Sequence, residues 1–354
     1  MVLTILGGVL LGTGLTLGAL GVLGLLAPAD VTSAADTVTT TTSTTAAVQA
    51  ASAPASVSQV AATAIPSIAA VDTTDSTGLL VSGSAVVYGD GGYLITNNHV
   101  VQDAVSIFVT FADGVGYRGE LVGTDPLTDI AVISTHRPDL TPIELGSEDK
   151  LQIGQPAVAV GNPLGLLGGP SVTTGIISAL GRSLTVEGET RLYGLLQTDA
   201  PITRGSSGGA LLDERAHLIG ITTAIGVSDV GAEGLGFAVP VDLATGVADD
   251  LIHDGTVHHA QLGISGNSFT DTRDEAEVPV GVGVVNLTQD SAYGAAGGQV
   301  QDVIVSLDGQ PVTTIDQLIA RLRKRRAGDE ISVQAVRGSQ HVDLAVTLGE
   351  WTSG

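Results

Sequence analysis

Hydrolysing an amide by covalent catalysis takes a hydroxyl nucleophile, a base to remove its proton, and a group that fixes the base's tautomer. It also takes donors aimed at the oxyanion. The 354-residue sequence holds one candidate for each role, every one in a distinctive setting. Gly205-Ser206-Ser207-Gly208-Gly209 places a serine among glycines, whose small size lets the backbone turn until N–H groups converge beside the hydroxyl. The N–H groups of Gly205 and Ser207 are the expected oxyanion donors, each worth about 2.7–4 kcal/mol of transition-state stabilisation. Thr96-Asn97-Asn98-His99-Val100-Val101 sets a histidine just after an apolar strand, and Thr128-Asp129-Ile130-Ala131-Val132 opens a buried strand with a carboxylate. Singly these read as a Gly/Ser turn, a structural histidine and a strand-end cap. Together they form a candidate triad in the order His99, Asp129, Ser207, separated by 30 and 78 positions.

Side chains so far apart in sequence meet only if a rigid scaffold folds them together. From Leu79 to about Pro240 the signals are all β. Ser84 to Tyr88 and Tyr93 to Thr96 flank Gly89-Asp90-Gly91-Gly92, a hairpin pattern. Ser106 to Thr110 precedes the turn Ala112-Asp113-Gly114, and Ile130–Ile133, Ala157–Val160 and Leu218–Ile221 are short apolar runs of buried-strand type. Regularly spaced short strands with Gly-Asp turns point to antiparallel barrels. The triad order is that of the two-barrel chymotrypsin arrangement, which would put His99 and Asp129 on the first barrel, Ser207 on the second, and the site in the cleft between them.

After Pro240 the pattern changes. Val241 to Ile252 reads as a helix, and Gly255 to Gln261 as a linker in which His258 and His259 are solvated. A second β-rich unit follows, with strands at Val280–Val285, Asp302–Leu307 and Ile331–Val336. Its one clear helix spans about Thr314 to Arg326, with Ile315, Leu318, Ile319 and Leu322 on one stripe. Thr314 and Gln317 form a capping-box pair, and Gly328 stops the helix. The basic run Arg321-Leu322-Arg323-Lys324-Arg325-Arg326 is read as complementing the helix dipole.

Val2 to Ala27 carries no charge. As a helix it would be about 39 Å long, enough to cross ~30 Å of hydrocarbon with tilt. Its length favours a transmembrane anchor over a signal peptide cleaved near Ala27-Pro28-Ala29. The first basic residue is Arg118, so either the true start lies upstream or the cytoplasmic tail is nearly absent. Residues 30–56, rich in Thr, Ala and Ser, read as a disordered stalk with a reach of roughly 30 Å. The expected organisation is therefore an anchor or signal segment over 1–29, a linker over 30–56, a catalytic domain over 57–250 and a second domain over 259–350. A net charge of −23 speaks against a nucleic-acid partner. There is no cysteine, and none of the seven histidines falls in a metal-ligand pattern, so no metal site and no cofactor are expected. With aromatics at 3%, the cores must be built from Val, Ile, Leu and Ala.

The chain resembles the HtrA (high-temperature-requirement A) family of trypsin-like serine proteases with a C-terminal PDZ domain. The resemblance rests on Thr96–Val101, on Asp125-Pro126-Leu127-Thr128-Asp129-Ile130-Ala131-Val132, and on Ala159-Val160-Gly161-Asn162-Pro163-Leu164-Gly165. Ser171-Val172-Thr173-Thr174-Gly175-Ile176-Ile177-Ser178 and Gly234-Leu235-Gly236-Phe237-Ala238-Val239-Pro240 add to it. It covers roughly residues 57–350. It implies a mainly β fold, with a double antiparallel β-barrel followed by an α+β PDZ domain. The implied activity is endopeptidase cleavage of unfolded or damaged proteins outside the cytoplasm, often by a homotrimer, at the cell membrane or in secreted form. Thr203, Arg204, Thr223 and Ala224 are the implied specificity pocket. Leu262-Gly263-Ile264 is similar to the loop whose N–H groups take a C-terminal carboxylate, with a peptide adding as a strand beside it. Arg204 and Ser206 depart from the family's usual Asn-Pro-Gly-Asn-Ser-Gly-Gly. Ser206 is neutral and cannot pair with a freed N-terminus, so oligomer contacts or a ligand are expected to order the loop.

Two other readings compete. A catalytically silent peptide-binding or chaperone-like protein would keep the same fold. An α/β-hydrolase esterase would need the order Ser, acid, His and a helix opening at Gly205–Gly209, and the sequence has neither.

Overall fold

The computed structural model describes residues 55–162, 169–186, 190–223, 235–273 and 276–351. The apolar Val2–Ala27 segment and nearly all of the Thr-rich stretch lie outside the described residues. Among those described, no helix is long and apolar enough to cross a membrane.

The first described element is helix α1 (Val57–Ala64), where Ser56 caps the first turn and Gln59 closes a capping box. Six strands then close the first barrel: β1 (Ile68–Asp75), β2 (Leu80–Tyr88), β3 (Tyr93–Thr96), β4 (Ala104–Phe111), β5 (Gly116–Asp125) and β6 (Ile130–Thr135), in the order β1-β2-β3-β6-β5-β4. A four-residue helix, α2 (Asn98–Val101), follows β3. The second barrel uses β7 (Pro156–Gly161), β8 (Ser171–Thr185), β9 (Arg191–Thr198), β10 (Ala210–Leu212), β11 (Leu218–Thr223) and β12 (Gly236–Pro240), in the order β10-β11-β12-β9-β8-β7.

The short all-apolar runs have a simple cause. Side chains alternate faces along a strand, and here both faces are buried. In β6, Ala131 and Ile133 point into the first barrel, while Ile130 and Val132 join a cluster shared with the second. In β7, Ala157 and Ala159 fill the second barrel, while Val158 and Val160 join the same shared cluster. Helix α3 (Val241–Asp254) seals that junction with Val241, Leu243, Ala244, Val247, Ala248 and Leu251, and ends at Gly255 in the left-handed region at φ 71°. The two barrels thus share one apolar core.

The remaining chain forms β13 (Ala260–Gln261), β14 (Ile264–Arg273), β15 (Ala276–Leu287), α4 (Ala292–Ala295), β16 (Val303–Leu307), β17 (Gln310–Pro311), α5 (Ile315–Leu322), β18 (Glu330–Arg337), β19 (Gln340–Thr347) and β20 (Gly349–Glu350). Its main sheet runs β14-β15-β16-β18-β19, with its own core around Val282, Tyr293, Ile304, Leu318 and Val333. Helix α5 stops at Leu322, four residues short of the expected end. Its cap also differs. Thr314 accepts from the Gln317 N–H, but the Gln317 side chain reaches back to Thr313 rather than to Thr314.

Candidate active site

β3 runs straight into α2, so His99 stands on a single helical turn at the rim of the first barrel. The candidate aspartate comes from the turn between β5 and β6. Asp125, the last residue of β5, organises that turn: its carboxylate accepts from Leu127 N–H at 3.3 Å and from the Thr128 hydroxyl at 2.5 Å. The turn delivers Asp129 at φ 59°, a left-handed conformation that costs a non-glycine residue energy and must be held by its surroundings. The holders come from the histidine's own segment. The Asn97 side chain donates to the Asp129 carbonyl at 2.9 Å, and Asn98 N–H donates to it at 3.1 Å.

The imidazole and the carboxylate meet. His99 Nδ1 lies 3.0 and 2.9 Å from the two carboxylate oxygens of Asp129, and His99 N–H donates to Oδ1 at 3.1 Å. A carboxylate on Nδ1 fixes the proton there and leaves Nε2 as the proton acceptor. The Asp129 side chain is 5% exposed and that of His99 31%, so the acid is sealed while the imidazole reaches the cleft. Thr223, expected at the specificity pocket, is instead buried beside the acid and donates its hydroxyl to Asp129 Oδ2 at 3.2 Å.

Ser207 lies on the loop entering β10 and is 5% exposed. Its carbonyl accepts from the N–H of Ser84 on β2 at 2.7 Å, which binds the serine loop of the second barrel to the first. Gly208 must be glycine: its φ is 84°, and a Cβ there would sit 2.0 Å from the Ser84 carbonyl oxygen. Ser206 N–H donates to Thr203 O at 2.9 Å with Gly205 at φ 88°, which makes Thr203–Ser206 a type II turn with glycine at its third position. Thr203 and Arg204 are exposed on that turn, and Ala224 lies outside the described residues.

In the second unit, Leu262 and Gly263 turn their carbonyls toward the 288–293 segment, accepting from Tyr293 N–H and Thr288 N–H at 2.9 Å each. In trans peptides the N–H groups of Gly263 and Ile264 therefore face the opposite way. This unit docks on the two barrels through helix packing and charge. Helix α5 lies against β8 and β9, where Gly194 makes room for Ala320. Arg191 pairs with Asp316 at 2.5 Å, Arg326 with Asp250 at 2.8 Å, and Lys324 with Glu148. Lys324 and Arg326 of the basic run thus dock on the barrels, while Arg321 stands in the last helical turn and Arg325 pairs with Asp308 inside the second unit. His259 is likewise no solvated linker residue. It is 4% exposed, and its Nε2 lies 2.9 Å from Asp125 Oδ1 in the turn that carries Asp129. Burial pushes the Asp125 carboxyl up, but the hydrogen bond and charge of His259, helped by Thr128 and Leu127, outweigh it and hold the group below its ordinary range. His258 is half-buried and pairs with Glu350 at 2.7 Å.

Ser84, Thr222, Asn97 and the Asp125–His259 pair escaped the sequence reading. Ser84 did leave a trace, as a hydroxyl directly before the apolar Ala85-Val86-Val87 run of β2. The His259 contact left none.

Two stretches of the chain match known domain families. Residues 83–221 match the trypsin-like peptidase domain, and residues 260–348 the PDZ domain. The chain is 38% identical over 273 residues to the periplasmic pH-dependent serine endoprotease DegQ of Escherichia coli (strain K12), covering 76% of this chain and 59% of that protein. It is 36% identical over 275 residues to the periplasmic serine endoprotease DegP of the same strain, covering 76% and 57%. It therefore spans less than two thirds of the length of either. Among solved structures, the HtrA-type protease AlgW with tripeptide superposes with a TM-score of 0.69 at 34% identity, over 84% of this chain and 98% of that one.

Proposed function

The chain belongs to the HtrA family of serine proteases, and from that premise we propose that it is a serine endopeptidase working through Ser207, His99 and Asp129. His99 Nε2 takes the Ser207 proton as the hydroxyl attacks the scissile carbonyl, then returns it to the leaving amine. Asp129 holds the imidazole tautomer and stabilises the imidazolium as it forms. The N–H groups of Gly205 and Ser207 receive the oxyanion. One observation carries the reading: the imidazole Nδ1 is gripped by both oxygens of a sealed carboxylate, 30 residues away in sequence.

Leu262, Gly263 and Ile264 would receive a peptide terminus, and β14 the strand that follows it. Thr203 and Arg204 would border the specificity pocket. The substrates are unfolded or damaged proteins outside the cytoplasm, a location in keeping with relatives named as periplasmic. Val2–Ala27 would serve as the membrane anchor, and a homotrimer is the proposed assembly. Casein digestion tests the core of this reading. Wild type should cleave and Ser207→Ala should not, and equal cleavage by both would refute it.

A further inference from the structure

We propose that two buried hydroxyls, Ser84 on β2 and Thr222 on β11, are positioning residues that hold the oxyanion loop in its working shape. This rests on the proteolytic reading of Ser207. Three successive carbonyls of the loop are gripped. Gly205 O accepts from Ser84 Oγ at 2.7 Å, Ser206 O from Thr222 Oγ1 at 2.6 Å and Gly209 N–H at 3.0 Å, and Ser207 O from Ser84 N–H at 2.7 Å.

In a trans peptide the N–H points opposite the C=O. The peptide whose carbonyl Thr222 holds carries the Ser207 N–H, one of the two proposed oxyanion donors. The hydroxyl behind it sets its direction, and a hydrogen bond on the carbonyl polarises the N–H. The peptide that Ser84 holds carries the Ser206 N–H, which closes the type II turn onto Thr203 O. With that peptide fixed on both sides, Gly205 keeps its positive φ. Relaxing to a type I turn would need a negative φ there and would reverse the Arg204–Gly205 peptide, which carries the other donor.

Neither hydroxyl has freedom to do otherwise. Ser84 is fully buried, its Oγ also accepts from Asn162 N–H at 2.8 Å, and its carbonyl accepts from the Thr96 hydroxyl at 2.7 Å. Thr222 is 1% exposed, and its N–H and C=O are both bonded to the serine loop, with Gly209 O and Gly208 N–H. Ser84 faces the second barrel for a simple reason: it shares a strand face with Val86, which lies in the cluster joining the barrels. One grip comes from each barrel, so the loop is set by their docking.

The test compares Ser84→Ala, Thr222→Val and Thr222→Ser in the full chain, with folding followed by circular dichroism. Loss of a whole oxyanion donor costs ~10²–10³ in kcat, so losing its support should lower casein kcat by about 10-fold or more with KM within about twofold. Fluorophosphonate labelling should slow in parallel, and Thr222→Ser, which keeps the hydroxyl, should stay near wild type. Valine preserves the shape of threonine, so the Thr222 pair decides the matter even if Ser84→Ala fails to fold. Wild-type kcat in folded Thr222→Val, or an equal fall in Thr222→Ser, would overturn the positioning role alone. A wild type inert toward casein would overturn the proteolytic reading and this inference with it.

Discussion

Replacing Asp125 by alanine removes a carboxylate whose side chain is 6% exposed and which holds three partners: His259 Nε2 at 2.9 Å, the Thr128 hydroxyl, and Leu127 N–H at 3.3 Å. Breaking a buried pair costs about 3–5 kcal/mol, and a hydrogen bond to a charged group contributes ~1.5–3 kcal/mol of that. Asp125→Ala and His259→Ala should each destabilise by amounts in the first range. The double variant should fall short of their sum by about 1.5–3 kcal/mol, the coupling of the pair itself. Trp351 is the only tryptophan, and its backbone N–H donates to the His259 carbonyl at 2.7 Å, so its fluorescence follows unfolding beside the pair. Urea unfolding followed by Trp351 fluorescence and by circular dichroism gives the cycle, and coincident transitions license its arithmetic. Acid supplies a second axis. A carboxyl held below its ordinary value of 3.8 contributes stability that is complete above that value and is lost as pH falls through the folded one. The coupling should therefore vanish on the acid side of pH 3.8. Additivity within about 0.5 kcal/mol at pH 7 would show the two residues to be mere neighbours.

Three further outcomes are expected. Gly208→Ala, whose Cβ would fall 2.0 Å from Ser84 O and 2.4 Å from Thr96 Oγ1, should abolish fluorophosphonate labelling, and a variant that labels at the wild-type rate would refute the packing argument. Asp129→Asn should lower kcat by about 10⁴ without changing the fold, because an amide does not hold the imidazole tautomer as a carboxylate does; a loss below tenfold would contradict it. Joint reversal of Lys324 and Arg326 to glutamate faces them with Glu148 and Asp250. Limited proteolysis should then cut the 255–259 segment faster than in wild type, and unchanged resistance would show that charge is not what docks the second unit.

Much of the scaffold was legible because its signals are local. The hairpin at Gly89–Gly92, the doubly buried runs of β6, β7 and β11, and the segments bearing His99, Asp129 and Ser207 each announce themselves within a few residues. Strand β8 did not. It runs for 15 residues, but its pairing with β9 shifts register at three places, and each shift breaks the alternation that marks a strand. Nor could sequence show that Ser84 reaches Gly205 across 121 positions, or His259 Asp125 across 134. Such bonds are properties of docked barrels and domains, and no periodicity encodes them. The docking role of Lys324 and Arg326 was hidden for the same reason, since a helix-end charge looks alike whether it faces water or a neighbouring carboxylate.

The apolar cluster common to both barrels has a mechanical corollary. Opening the catalytic groove as a clamshell would tear Ile130, Val132, Val158 and Val160 from one another and from α3. The groove is a seam in one solid, not a joint between two. Any control of the proposed cleavage should then act on the serine loop, where a single peptide plane can turn without disturbing the block beneath.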